Sequence, residues 1–427
     1  MDYSWNTVKV SDLGTIITGK TPRTKEKQNY GGEIPFLTPS DDMDSRYVTK
    51  TERSLSIIGE DSVKKQVIPA GSICVSCIGS QLGKVTMTTK KTVTNQQINS
   101  IIPNKNYNPL FIYYSMLLIG KKLNFISKTS TAVPIVNKTD FSNMELMVPN
   151  IQIQNKIVNI LSYLDQKIEV NNKIIANLES QAQAIFKSWF VDFEPFQDGE
   201  FVESELGMIP KGWEVTTIGE ISKRINGYSY KSSDLADVSK YNMVTLKNFN
   251  RNGDMPNDVI KPISLNDRIK YRHFLLENDI LVACTDLTQA AEVIGRVLLY
   301  SMNEKFDNEI FSMDLVKLVP NSELERLFLY YYLKSPMFKD YAEGVATGTT
   351  VLHLPKNAID NFTVVRPNLY GIELFNKTIS PFIELQKVLY KQNQKLAETR
   401  DTLLPKLMSG EIDVSNIKID IEEDNND

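Results

Sequence analysis

Residues 157–189 have the sequence IVNILSYLDQKIEVNNKIIANLESQAQAIFKSW, and this stretch decides the fold. Written in sevens, its first row holds Ile157, Leu164, Asn171, Leu178 and Ile185. Its second row holds Leu161, Ile168, Ile175, Ala182 and Trp189. This pattern is typical of a helix that packs along its length against a partner helix, and no Gly or Pro interrupts it. At about 1.5 Å per residue, the stretch would make a helix of roughly 50 Å.

A second stretch of this kind lies between Phe375 and Leu407. Apolar residues repeat there every seven positions, with Leu385 on the companion row; the repeating positions are Phe382, Leu389, Leu396 and Leu403. The spacing predicts a second long helix. Two such helices in one chain can bury each other's apolar rows as an antiparallel coiled coil.

Each predicted helix carries one amide within its apolar row, Asn171 in the first and Gln392 in the second. If the helices run antiparallel with Ile157 beside Lys406, Asn171 lies opposite Gln392. An amide pair at this point would cost stability but fix the helix register. The alternative is that both amides face solvent on two amphipathic helices that pack separately onto globular cores.

Composition limits the possible classes of protein. A length of 427 residues suggests two or three domains, and a hydrophobic fraction of 41% is ordinary for a globular chain. With three cysteines, no apolar run long enough to span a membrane and no signal-peptide pattern at Met1, we expect a cytoplasmic protein. The net charge of −4 argues against a uniformly basic nucleic-acid binder, although residues 1–150 carry 18 basic and 12 acidic side chains, which is compatible with phosphate contact.

The chain resembles a divergent internal duplication. Matching residues recur in the same order at offsets that slip from 208 to 207 positions and then grow to 221. The matches include Trp5 with Trp213, Gly19 with Gly227, Cys77 with Cys284, Lys84 with Arg296, Asn95 with Asn308, Tyr114 with Tyr331, and Asn155 with Asn376. We therefore predict an α+β fold in which two similar globular domains are each followed by a long helix.

The predicted boundaries follow from this plan. They are an N-terminal domain at 1–150, a central helix at 151–194, a linker at 195–212, a second domain at 213–368, a C-terminal helix at 369–410 and an acidic disordered tail at 411–427. In the two domains, Tyr107–Lys122 and Glu323–Lys339 are predicted to be helical.

Two motifs suggest chemistry, and neither has the context that the chemistry requires. Gly14–Thr21 matches the phosphate-loop pattern GxxxxGK[ST], but Pro22 follows at once, no helix is predicted behind it and the second copy lacks it. A strand that ends in a turn is the better interpretation. Cys74 and Cys77 form a CxxC within an apolar run, which favours core packing over a metal site. With two histidines in the chain, triad or acid–base catalysis has few candidate residues, and we predict a protein without catalytic or metal-binding residues.

The remaining candidates are loop side chains that suit contact with bases and phosphates. In the first copy they are Lys20, Thr21, Arg23, Thr38, Ser40, Gln81, Lys84, Asn95, Gln96, Gln97, Ser130, Thr131 and Lys138. In the second copy they are Lys247, Asn248, Thr285, Gln289, Arg296, Asn308, Thr349, Thr350, His353 and Lys356. Any one of them could instead be an exposed polar loop residue, and Asn95 and Asn308 could be turn formers.

Three motifs resemble the specificity subunit of type I restriction-modification systems. They are AIFKSWFVDFEP at 184–195, SELGMIPKGWEV at 204–215 and RDTLLPKLMSGEI at 400–412. The resemblance spans essentially the whole chain. It implies two target-recognition domains, each contacting one half of a bipartite DNA site, and a pair of conserved helices that sets the spacer between the halves.

The resemblance also implies partners and cofactors. The partners would be double-stranded DNA, two methyltransferase subunits that use S-adenosylmethionine and restriction subunits that use ATP, with neither cofactor bound by this chain. The aromatic residues Phe186, Trp189, Phe190 and Phe193 are candidates for an exposed partner surface, or for local packing at the helix end. An asymmetric target is expected because the two copies differ in nearly every loop residue. Two other functions remain open, an NTPase or methyltransferase and a coiled-coil scaffold that binds only protein.

Overall fold

The computed structural model describes residues 5–129, 135–249 and 259–417, without the side chains of 126–129. The chain forms two compact units. Unit 1 comprises residues 1–169 together with 393–427, and unit 2 comprises residues 170–392. Each unit therefore combines one globular domain with a segment of both long helices.

Unit 1 is built on mainly antiparallel strands with helices between them. Its strands are β1 (Asn6–Lys9), β2 (Gly14–Thr18), β3 (Tyr30–Leu37), β4 (Tyr47–Val48), β5 (Ser54–Leu55), β6 (Val67–Ile68), β7 (Ile73–Ser76), β8 (Val85–Thr88), β9 (Thr92–Thr94), β10 (Ile98–Pro103) and β11 (Glu145–Val148). Its helices are α1 (Ile57–Ser62), α2 (Pro109–Thr129), α3 (Lys138–Ser142) and the first part of α4 (Ile151–Phe190). The main sheet has the order β2-β10-β7-β8-β4, and a second sheet has the order β5-β3-β9-β6.

Unit 2 repeats the central part of this plan. Its strands are β12 (Phe201–Ser204), β13 (Gly207–Pro210), β14 (Glu214–Thr217), β15 (Ser222–Asn226), β16 (Tyr241–Val244), β17 (Ile280–Ala283), β18 (Thr285–Asp286), β19 (Val297–Leu299), β20 (Asn308–Phe311), β21 (Leu315–Pro320), β22 (Leu352–His353) and β23 (Thr363–Arg366). Its helices are α5 (Ile218–Ile221), α6 (Arg326–Lys334), α7 (Pro336–Val345) and the first part of α8 (Leu369–Met408). The main sheet has the order β15-β21-β17-β19.

The strand registers confirm the duplication. Gly14 of β2 pairs with Pro103 of β10 in unit 1, and Ser222 of β15 pairs with Pro320 of β21 in unit 2. The outer pairs β1–β11 and β14–β23 correspond in the same way. The P-loop-like match at Gly14–Thr21 is thus a sheet strand that ends in a turn, as the sequence favoured.

Three predicted segments differ from the structure. The helix expected at Glu323–Lys339 is divided into α6 and α7, because Pro336 has no N–H to donate and favours the first turn of a new helix. The stretch 195–212, predicted as a linker, contains the β12–β13 hairpin, whose turn ends at Gly207 with φ of +95°. Residues 411–417, predicted as part of a disordered tail, are ordered because Ile412 and Val414 pack into the core of unit 1. Residues 418–427 lie outside the described part of the chain.

The apolar rows of α4 are confirmed. All ten positions predicted from residues 157–189 are buried or half-buried. In unit 1, Ile157 and Leu161 share a core with Leu404 and Leu407 of α8. In unit 2, α4 and α8 likewise contribute to one core, α4 through Ala182 and α8 through residues that include Phe375. Each core is therefore completed by helix segments that lie more than 180 positions apart in the sequence.

The predicted companion row of α8, which contains Leu385, is wrong. Leu385 is 44% exposed, and the row that faces α4 consists of Ile379, Gln386, Asn393, Arg400 and Leu407. Its polar members form hydrogen bonds rather than apolar contacts. Gln386 Nε2 donates to the carbonyl oxygen of Ile175 at 3.2 Å in unit 2. A search for apolar residues alone cannot find such a row.

The predicted amide contact is present in unit 2. Asn171 Nδ2 donates to Gln392 Oε1 at 2.8 Å. Asn171 is fully buried, whereas Gln392 lies at the solvent-exposed margin, so one amide of the pair is desolvated rather than both. Since Ile175 lies beside Gln386 while Asn171 lies beside Gln392, the two helix segments run antiparallel within unit 2.

Unit 1 joins its two helix segments through a buried carboxylate. Asp165 of α4 accepts hydrogen bonds from the Tyr114 hydroxyl at 2.6 Å and from Arg400 Nη1 of α8 at 2.8 Å. Burial raises the pKa of Tyr114, and the negative charge of Asp165 raises it further. The phenol therefore stays neutral and keeps donating to Asp165 at neutral pH.

We expect Asp165→Ala to lower the free energy of unfolding by about 3 kcal/mol, because it leaves the guanidinium of Arg400 without its buried partner. Urea denaturation followed by circular dichroism measures this. The matched control is Asp401→Ala, since Asp401 also pairs with Arg400 but is about half exposed, and it should change the free energy by about 1 kcal/mol or less. Equal effects of the two variants would contradict this role for Asp165.

Candidate nucleic-acid interface

One edge of unit 1 collects most of the predicted DNA-contacting side chains of the first copy. Backbone hydrogen bonds hold four connections together there. Gly19 N donates to Ile98 O at 3.1 Å, and Lys20 N donates to Thr94 O at 2.9 Å. In addition, Asn95 N donates to Leu37 O at 3.0 Å and Cys77 N to Gln97 O at 2.7 Å. We call the connections 19–23, 38–41, 78–82 and 95–97 the unit 1 edge.

Several side chains of the unit 1 edge face solvent, namely Lys20, Arg23, Ser40, Gln81 and Gln96. Arg23 forms an exposed ion pair with Glu26 at 3.3 Å. Thr21 Oγ1 donates to Gln96 Oε1 at 2.7 Å, which joins the connection after β2 to the connection before β10. The edge therefore presents cations, hydroxyls and amides on one surface.

Other predicted residues of this copy have structural roles. Thr38 is buried, and its backbone N–H and its hydroxyl donate to Asp41 Oδ2 at 2.7 and 2.9 Å. Asn95 is buried and accepts from the backbone N–H of Gln97 at 3.0 Å, so it forms the turn. Lys84 is half-buried in an ion pair with Asp44 at 2.6 Å. The side chains of these three residues are engaged within unit 1, and their contact with DNA stays a prediction.

The remaining predictions for the first copy concern the segment after α2. Ser130 and Thr131 lie outside the described residues. Lys138 is exposed at the start of α3. A bridge between Ile78 and Ile135, with a hydrogen bond from Val136 N to Cys77 O at 2.9 Å, brings this segment alongside the unit 1 edge.

Unit 2 has an equivalent edge held by the same bonds. Gly227 N donates to Leu315 O at 3.2 Å, Ser312 N to Val244 O at 2.9 Å and Cys284 N to Asp314 O at 2.9 Å. Leu354 N donates to Cys284 O at 2.9 Å, which places the 347–356 segment alongside it. We call the connections 227–230, 245–248, 285–294 and 312–314 the unit 2 edge.

The predicted residues of the second copy divide in the same way. The exposed ones are Lys247, Gln289, Asn308, Thr349, Thr350, His353 and Lys356. Asn248 is buried and accepts from Thr245 N at 2.9 Å, and Thr285 is buried with its hydroxyl 3.2 Å from Asp314 Oδ1. Arg296 is half-buried and donates to the carbonyl oxygen of Glu292 at 2.6 Å. The buried residues shape the loops, and the exposed residues lie at the surface.

The predicted match of Asn95 with Asn308 is wrong. Asn308 is the first residue of β20 and pairs with Tyr241, whereas Asn95 follows β9 after Thr94 has paired with Leu37. The structural counterpart of Asn95 is Ser312. The second copy has extra residues before Ser312. Matching the two asparagines by amino-acid type therefore paired positions that are not equivalent in the fold.

Sequence reasoning missed two features of the unit 2 edge. Leu287 and Met313 are exposed there by 65% and 58%. Asp286 is buried, and it accepts from Val293 N at 2.6 Å and from Thr288 N at 2.9 Å. Burial acts to raise the pKa of Asp286, but these N–H donors outweigh it and hold the pKa below its ordinary value. The Asp286–Thr288 spacing is an Asx-turn signal that could have indicated this loop.

The aromatic residues at the end of α4 do not form an exposed surface. Phe186 and Phe190 are buried, and Trp189 and Phe193 are half-buried in the same core of unit 2. The ring centroids of Phe190 and Phe375 lie 5.0 Å apart. The alternative of local packing is the observed one, because the helix end faces the domain that follows it.

The described residues contain no group of three or more His, Cys, Asp or Glu side chains that could hold a metal ion. Cys74 on β7 and Cys77 immediately after it are both buried, as the core-packing interpretation predicted. Burial raises the pKa of Cys74 to about 12 and that of Cys77 to about 11. None of the helices in the described part of the chain has the length and apolar character that a membrane crossing requires.

The fold and the two edges define a class of protein. It is a duplicated recognition protein in which the same backbone frame occurs twice and carries different exposed loop side chains in each copy. The family model described as "Type I restriction modification DNA specificity domain" matches residues 3–180 and again residues 210–398. The chain belongs to this family. It is therefore a non-catalytic subunit that provides DNA specificity within a restriction-modification complex.

Individual relatives agree with the family. The chain is 29% identical over 424 residues to the specificity subunit of the type I restriction enzyme MjaIX of Methanocaldococcus jannaschii, covering 97% of this chain and 94% of that one. It is 40% identical over 162 residues to the HindI specificity subunit of Haemophilus influenzae, covering 36% and 35% of the two chains. The crystal structure of a type I system S subunit from M. genitalium has the same fold, with a TM-score of 0.50 at 15% identity over 95% of this chain and 96% of that chain.

We expect the three cysteines to resist alkylation by iodoacetamide at pH 7.5 in the folded protein. The thiolate is the reactive form, and burial raises the pKa of Cys284 to about 12, as it raises those of Cys74 and Cys77. Mass spectrometry should find less than a tenth of the alkylation seen in 6 M guanidinium chloride. Rapid labelling of Cys77 alone in the folded state would contradict the packing described for β7.

Proposed function

We propose that each unit recognises one half of an asymmetric, bipartite DNA site. Unit 1 would contact one half through the exposed side chains of its edge, and unit 2 the other half through its own. The observation that carries this proposal is the pair of edges held by the same backbone hydrogen bonds but bearing unlike side chains. Exposed side chains on a fixed frame are the arrangement that direct base contact requires.

The helices would set the spacer and bind the partner subunits. At 40 residues each, α4 and α8 are about 60 Å long by the helical rise per residue. The proposed partners are two methyltransferase subunits, which would carry S-adenosylmethionine, and restriction subunits, which would carry ATP. Such a complex would act on chromosomal DNA in the cytoplasm. The family membership is consistent with a chain that leaves the chemistry to its partners.

The proposal is tested by exchanging residues 1–150 for the corresponding domain of a family member with a different target. The methylation motif should then change in one half only, because unit 2 keeps its own edge. Single-molecule sequencing of genomic DNA from cells that express the exchanged chain with its methyltransferase measures the motif. A change in both halves, or in neither, would overturn the assignment of one half-site to each unit.

A single charge provides a finer test in the purified complex. Lys20→Ala should reduce the slope of log affinity against log salt concentration by about 0.9, the value for one lost phosphate contact. The matched control is Lys105→Ala, an exposed lysine just beyond β10 at the opposite end of the sheet, which should leave the slope unchanged. Equal slopes for Lys20→Ala and the parent complex would show that the unit 1 edge does not contact the DNA backbone at Lys20.

A further inference from the structure

The connections that precede β10 and β21 are the same three-residue turn. In unit 1 the turn is Asn95–Gln97, and in unit 2 it is Ser312–Asp314. Ile98 N donates to Asn95 O at 3.2 Å in unit 1, and Leu315 N donates to Ser312 O at 3.0 Å in unit 2. Two further hydrogen bonds are shared between the units. The N–H of the first turn residue donates to a carbonyl oxygen at the end of the neighbouring parallel strand, and a cysteine N–H donates to the carbonyl oxygen of the third turn residue.

Within each turn, only the middle residue has an exposed side chain. Asn95 is 8% exposed and Ser312 is fully buried, so the first position belongs to the frame in both units. The middle residues are Gln96, which is exposed, and Met313, which is 58% exposed. The duplication therefore places an amide and a thioether at one equivalent, outward-facing position.

We propose that this position contacts a base pair in each half-site, with Gln96 recognising adenine and Met313 contacting the methyl group of thymine. This inference rests on the proposed function and assigns a chemical preference to one residue of each edge. Glutamine can accept from adenine N6 and donate to N7 in the major groove, whereas an apolar side chain discriminates thymine by its C5-methyl group. An unbranched methionine side chain adapts readily to such a contact.

The surroundings of Gln96 prepare it for this contact. The Thr21 hydroxyl donates to Gln96 Oε1 at 2.7 Å, which orients the amide. A carbonyl oxygen has a second lone pair, so Oε1 can still accept from adenine while the amide nitrogen donates. An oriented amide loses less side-chain freedom on binding than a free one. Thr21 thus acts as a positioning residue.

Reciprocal substitutions at the two turns test the proposal. With the parent chain first shown to direct methylation of one split motif, Gln96→Met should weaken the preference for adenine at one position of one half by roughly tenfold, while the other half stays unchanged. Met313→Gln should do the same for thymine in the opposite half. The readout is the methylated fraction of each motif variant in genomic DNA, and thermal unfolding of both variants should match the parent because both side chains are exposed.

Each substitution has a matched control on the same unit. Gln28→Met changes an exposed glutamine that precedes β3, at the other end of that strand, and Met302→Gln changes a methionine that is 47% exposed beyond β19. Neither control should alter the motif. Unchanged motifs in both turn variants would overturn this inference and leave the proposed function standing, whereas a parent chain that directs no motif would overturn both.

Discussion

The largest core of each unit depends on the packing of a segment of α4 against a segment of α8. The row through Ile157 and Leu161 cannot be buried by the N-terminal domain alone, and Leu404 and Leu407 from the far end of the chain complete that core. In unit 2, Phe375 of α8 packs against the aromatic residues at the end of α4. Because each core needs segments of both helices, neither recognition domain is independent of the coiled coil. The hydrophobic effect thus stabilises the contact between the α4 and α8 segments within each unit.

Polar contacts fix the pairing that apolar contacts would leave free to slide. In unit 1, Asp165 meets Arg400 in only one register of the two helix segments. In unit 2, the same holds for Asn171 and Gln392. A slip by one heptad would separate Asp165 from Arg400 and Asn171 from Gln392, and a hydrogen bond lost at a buried group costs about 1–3 kcal/mol, or more for a charged one. This use of polar residues also explains why the seam of α8 is poor in apolar residues.

The architecture and the main helical contact could be predicted from the sequence, and much of the site could not. Heptad spacing predicted the position of α4, and the two amides, Asn171 and Gln392, predicted the register of the helix pair correctly. The row through Gln386, Asn393 and Arg400 was missed because it is recognised by its hydrogen bonds, which a pattern of apolar residues does not contain. Asn95 and Asn308 share an amide but not a place in the frame, and only strand register shows that Ser312 replaces Asn95. Met313 was overlooked because an isolated methionine has no polar signature, and its exposure is a property of the fold.

The most direct test of the account is single-molecule methylome sequencing of cells that carry this chain and its methyltransferase, against cells that lack only this chain. We predict that one split motif with two unlike halves loses its methylation when the chain is removed. Such a loss would mean that the duplicated frame supplies the sequence specificity of the complex. If every methylated motif persists without the chain, or if the motif that is lost is a palindrome with identical halves, the central claim that two unlike edges recognise two unlike half-sites is contradicted.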